Sequence, residues 1–142
     1  MKKLKTSDVA AVNAALQNAN MNKGDVSAKL ALVDAIIATK KIADDYNDFE
    51  RITRDKLQPE DFGSWQAQAQ KKDLTQEQIL SINRYFLTYE KSVRDAIREE
   101  ADKLVEVNLK PWTSEQFAAL LESNNNYTGA HMLLLHDALV GE

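Results

Sequence analysis

The sequence predicts an all-α protein: two long antiparallel helices with three short helices packed at one end. Three observations carry this. Apolar residues recur at helical spacing over about residues 26–57 and again over about 76–108, and each stretch would form a rod roughly 50 Å long at about 1.5 Å per residue. Glycine and proline, which interrupt helices, number only four and two. No segment alternates polar and apolar residues in the manner of a half-buried strand.

The first helix is short. Thr6 or Ser7 is placed to cap it, Asp8 sits in its first turn, and Val9, Val12 and Leu16 form its apolar face. The run Asn20–Gly24 ends it. The second helix then starts at about Val26. Its first half carries one stripe of Val26, Leu30, Val33 and Ile37 and a second face of Leu32, Ala35, Ile36 and Ala38, so burial among several neighbours is expected there. Its second half keeps a single stripe, Ile42, Tyr46, Phe49, Ile52 and Leu57.

Pro59 opens a polar connector over 58–74, with a short helix expected over about Trp65–Lys71. Thr75-Gln76-Glu77-Gln78 is a capping box, and the repeat Ile79, Ile82, Phe86, Tyr89, Val93, Ile97, Ala101, Leu104, Asn108 extends the helix behind it. Pro111 stops that helix. Thr113-Ser114-Glu115-Gln116 repeats the capping device before a helix to about Ser123. A last helix, about Thr128–Val140, carries Met132, Leu133, Leu134, Leu135 and Leu139, with Gly141 as its stop. Folding back through the connector would give one domain over 1–142, with a projecting hairpin arm over about 42–95 tipped by Phe62 and Trp65.

Composition narrows the chemistry. There is no cysteine, which removes disulfides and thiolates. The basic start Met1-Lys2-Lys3-Leu4-Lys5 is followed by Ser7, Asp8 and Asn13 rather than an apolar run. A cytoplasmic protein with no membrane attachment is expected. The net charge of −4 is uneven, with an excess of lysine before residue 42 and of acid after it.

Four constellations bear on activity. Asp44-Asp45-Tyr46-Asn47-Asp48 has the letters of a DDxxD magnesium–diphosphate motif, but no second such motif follows, and a solvated helix face accounts for it. Asp45 and Asp48 with Glu99 and Asp102 form two pairs spaced three apart on separate helices. This is similar to the ExxE…ExxD magnesium sites of small all-helical nucleotide pyrophosphohydrolases, although only Glu99-Glu100-Ala101-Asp102 matches that pattern. His131 and His136 lie five residues apart, on different sides of a helix, and cannot act as an i,i+4 ligand pair. Lys2, Lys3, Lys5 and Lys23 are the cations on which nucleic-acid binding would rest, against the acidic balance of the whole chain. No cofactor motif is present in the sequence: no GxGxxG and no GxxxxGK[ST].

The stretch Lys29–Leu57, containing LALVDAIIATKKIADDYNDFERITRDKL, resembles small all-helical phage and prophage proteins of unknown function, in which a Leu/Ala-rich helix runs into a Tyr/Phe-Glu-Arg-Leu ending. The resemblance covers about a fifth of the chain and implies a structural or assembly role with no catalytic residues. The reading reached from the sequence is a non-enzymatic helical interaction or assembly module with a protein partner or a second copy. It works through helix faces or through Phe62 and Trp65. The alternatives are a metal-dependent nucleotide pyrophosphohydrolase and a nucleic-acid-associated regulator.

Overall fold

A computed structural model describes residues 1–141. The chain is mostly helical, with one short two-stranded sheet. In order, the elements are β1 (Lys2–Lys5), α1 (Thr6–Gln17), α2 (Val26–Leu57), α3 (Phe62–Ala69), α4 (Gln76–Asp102), β2 (Leu104–Val107), α5 (Ser114–Ser123) and α6 (Gly129–Leu135). A π-helical turn over His136–Val140 continues α6. No helix among the described residues is long and apolar enough to cross a membrane. The chain divides into two compact units: Met1–Asn47 with the stretch from Glu100 onward, and Asp48–Glu99.

The sheet corrects the expectation that no segment forms a strand. β1 and β2 pair antiparallel, with Leu4 opposite Val105 and Lys2 opposite Val107. Leu4 and Val105 are partly buried against the core, whereas Lys3, Lys5, Leu104 and Glu106 face out. Four residues are too few for a period-two pattern to stand out, and the two strands meet from opposite ends of the sequence. The helix expected to run to Asn108 therefore ends at Asp102. Lys103 then turns its carbonyl to the start of α1, where it accepts from both the N–H of Thr6 (2.9 Å) and its Oγ1 (2.8 Å). Thr6 thus anchors the helix start to the residue that precedes β2. It is the first helical residue, and Lys5 occupies the cap position without a side-chain bond.

In the first unit, Val9, Val12 and Leu16 of α1 are wholly buried with Leu120, Leu135 and Leu139 from the C-terminal helices. α2 presents Ala28, Leu32, Ala35, Thr39, Ala43 and Tyr46 inward. Asn13 of α1 reaches this face, donating from Nδ2 to Thr39 Oγ1 at 3.0 Å, while that hydroxyl donates to the carbonyl of Ala35 at 2.9 Å. The expectation that the first half of α2 is buried all round is overturned: Val26, Leu30, Val33 and Ile37 are 72, 58, 49 and 67% exposed.

Asn124 closes the opposite side of this unit. Its Oδ1 accepts from the N–H of Asn20 and its Nδ2 donates to the carbonyls of Asn20 and Leu120. The capping boxes at Thr75/Gln78 and Thr113/Gln116 form as read from the sequence. A third, Thr128/His131, uses the imidazole Nδ1 as acceptor. Gly141 ends the last turn with φ +76°, a left-handed conformation suited to glycine.

In the second unit the last turns of α2 lie beside α4. Tyr89 donates its hydroxyl to the carbonyl of Arg54 at 2.7 Å, and Arg54 forks onto both carboxylate oxygens of Glu90 (2.7 and 3.1 Å). Tyr89, Val93 and Ile97 form the buried strip, with Phe62 packed against it. The short connector helix lies over Phe62–Ala69, not about Trp65–Lys71. Asp61 and Phe62 enter its first turn, which brings both onto α4.

Candidate functional site

The carboxylates singled out in the sequence are held singly. On α2, Lys40 pairs with Asp44 and Lys41 with Asp45, each at 3.0 Å, and Arg51 lies 3.7 Å from Asp48. Asp102 lies 3.9 Å from Lys5. Glu99 is exposed on α4. Among the described residues no group of three or more His, Asp or Glu side chains is placed to hold a metal ion. The structure therefore does not assemble Asp45, Asp48, Glu99 and Asp102 into a site.

His131 serves the capping box and sets its ring edge-on to Tyr127. His136 lies edge-on to Phe117, with Nδ1 3.8 Å from Asp137. Of the N-terminal lysines, Lys2 donates to the carbonyl of Asp137 and Lys5 faces Asp102, so two of the four cations read as phosphate contacts have partners within the fold.

Two surfaces of different construction remain. The first is aromatic and belongs to the second unit. Phe62 packs against Tyr89 (ring centroids 5.1 Å) and Phe86 (5.6 Å), and Trp65 stacks on Tyr85 at 4.5 Å. Asp61 ties the stack together, accepting from Tyr85 Oη at 2.8 Å and from Trp65 Nε1 at 3.1 Å. These two donors hold the Asp61 carboxyl below the usual carboxylate range. Burial, and then the bond to Asp61, push the Tyr85 phenol up to about 12. A groove of about 420 Å³ runs beside the stack, walled by Leu57, Pro59 and Trp65 on one side and by Arg84, Tyr85 and Thr88 on the other. Phe62 and Trp65, expected at the tip of a bare arm, thus lie on α3 against α4. Asp61 and Tyr85 went unnoticed in the sequence, where the only signal was the four-residue spacing of Asp61 and Trp65.

The second surface belongs to the first unit and is the exposed row Val26, Leu30, Val33 and Ile37 on α2. A groove of about 370 Å³ follows one side of it, between Leu30, Ala31 and Asp34 and the segment Asn108–Trp112. Between Val26 and Thr39 the only charged residues are Lys29 and Asp34. Neither side chain has a hydrogen bond or ion pair among the described residues, whereas those of Lys40, Lys41, Asp44 and Asp45 farther along the helix are all paired. Comparisons with protein-family models, with characterised proteins and with solved structures return no match.

Proposed function

We propose that this chain is a non-enzymatic helical interaction or assembly module that binds by docking an apolar helix face. The observation that carries the reading is the row Val26, Leu30, Val33 and Ile37, four large aliphatic side chains about half exposed or more along three turns of one helix. Single exposed aliphatics are ordinary, but a contiguous row marks an interaction surface. A fully buried side chain of this kind contributes about 1.5–3 kcal/mol. Covering a row already partly shielded would recover roughly 5 kcal/mol per chain, enough for association once rim contacts are added to offset the cost of immobilising two bodies.

The likeness of Lys29–Leu57 to small helical phage and prophage proteins supports assembly rather than chemistry. The reading takes α2 and α4 as an antiparallel pair, supported in the second unit by the Tyr89–Arg54 and Arg54–Glu90 bonds. The groove beside Trp65 is a second, smaller place for a partner side chain.

The test is site-specific photo-cross-linking. A photoreactive residue at Val33, in the purified chain and in a cell extract, yields a discrete adduct, and one at the exposed polar position Lys72 does not. If Val33 gives no adduct in either setting, the interaction reading fails.

A further inference from the structure

We infer that the face of α2 over Val26–Ile37 docks a second copy of this chain, helix to helix and in parallel. The inference rests on the interaction reading above and names its partner. The row Val26, Leu30, Val33, Ile37 advances by four, three and four residues. That is the alternation of d and a positions along a two-stranded coiled-coil seam, with Val26 and Val33 at d and Leu30 and Ile37 at a. All four are about half exposed or more, so the seam is free to be covered.

The flanks specify the partner. In this register Lys29 takes a g position and Asp34 the following e position. They stand five residues apart, a spacing that puts them on opposite sides of one helix, where they cannot pair with each other. In a parallel pair of helices, a g residue meets the e residue five positions later on the other helix. Lys29 of each copy therefore faces Asp34 of its mate, and two ion pairs form about the symmetry axis. These are the two charges of this stretch whose side chains have no hydrogen-bond or ion-pair partner among the described residues. An antiparallel pair would instead set Lys29 against Ile36 and Asp34 against Ser27, leaving both charges unmatched.

The seam is short and narrow. Lys40 and Asp44 occupy the next d and a positions, and their mutual ion pair ends the apolar row. Of the remaining flanking residues, Ser27 and Lys41 are polar, so the apolar strip is too narrow to serve more than two copies. The opposite face, Ala28, Leu32 and Ala35, is already buried in its own unit. An interface of this size is at the small end for a specific contact, so a dissociation constant of about 10–100 µM is expected.

Sedimentation equilibrium of the full chain across that range, with circular dichroism to verify folding of each variant, is the test. The wild type passes from monomer to dimer, and Ile37→Glu remains a monomer. Lys29→Glu and Asp34→Lys each weaken the dimer about tenfold, because each turns both ion pairs into like-charge contacts. The double variant Lys29→Glu/Asp34→Lys returns to within about twofold of wild type, since the pairs are restored with the signs exchanged. A wild type that stays monomeric, a dimer indifferent to Ile37→Glu, or a double variant no tighter than the singles overturns the inference. A monomeric chain whose Val33 still cross-links another protein refutes the second copy alone. A monomeric chain with no Val33 adduct refutes the interaction reading as well.

Discussion

Thr39→Val isolates a buried polar contact that positions α1 on α2. Thr39 is fully buried and Asn13 is 4% exposed. The hydroxyl accepts from Asn13 Nδ2 at 3.0 Å, and Nδ2 has its other partner, the carbonyl of Ile36, only at 3.4 Å. Valine keeps the shape and removes the acceptor, leaving a buried amide donor with one long bond. A buried donor deprived of its partner costs about 1–3 kcal/mol. The surviving long bond puts the expected value in the lower half of that range, at about 1.5 kcal/mol. With a urea dependence of about 2 kcal/mol per molar, the unfolding midpoint falls by roughly 0.7 M. Trp112, 5% exposed in the core of the first unit, reports the transition by fluorescence in a Trp65→Phe background. Asn13→Ala removes the donor as well, so the double variant Asn13→Ala/Thr39→Val should be more stable than the sum of the singles by about 1 kcal/mol. A midpoint lowered by less than about 0.2 M, or strict additivity, would refute the reasoning.

Further outcomes follow from other contacts. Difference absorbance between wild type and Tyr85→Phe should reveal a phenol ionising at about 12. Asp61→Asn should bring it only partway back, because burial is the larger cause. Since the folded value lies above that of a free phenol, about 10, this contact stabilises fully below that pH and is lost as pH rises through about 12. Glu90→Gln should cost about 0.5–1 kcal/mol at neutral pH by urea unfolding, the half-exposed setting limiting the figure. The Arg54 guanidinium holds the Glu90 carboxyl below its usual range. Its contribution is therefore whole above pH of about 4.3 and lost as pH falls through the lower folded value, so wild type and variant converge in acid. Gly24→Ala should lower the thermal midpoint by about 3–10 °C, because the added Cβ meets Ala28 Cβ and Met21 Cγ at 2.7 Å. Gly63→Ala in α3, with nothing within 4 Å, should instead stabilise by about 0.5–1 kcal/mol.

Sequence alone determined where most of the helices form, because the causes are local. Spacing of 3.6 residues, the Thr75 and Thr113 capping boxes and the stop at Gly141 act within a few residues of chain, and each was legible there. Tertiary structure decided which face of each helix is covered. Both faces of α2 are apolar over 26–38, and periodicity cannot rank them. The face of Ala28, Leu32, Ala35 and Thr39 is buried, with Thr39 held by the Asn13 bond, and the row of Val26, Leu30, Val33 and Ile37 is left outside. The same holds for β1 and β2, whose pairing joins residues about a hundred positions apart, and for the Asp61–Tyr85 bond. No local pattern records a partner that only the folded chain brings near. That is why the exposed row, the surface on which the proposed function rests, reads as core in the sequence.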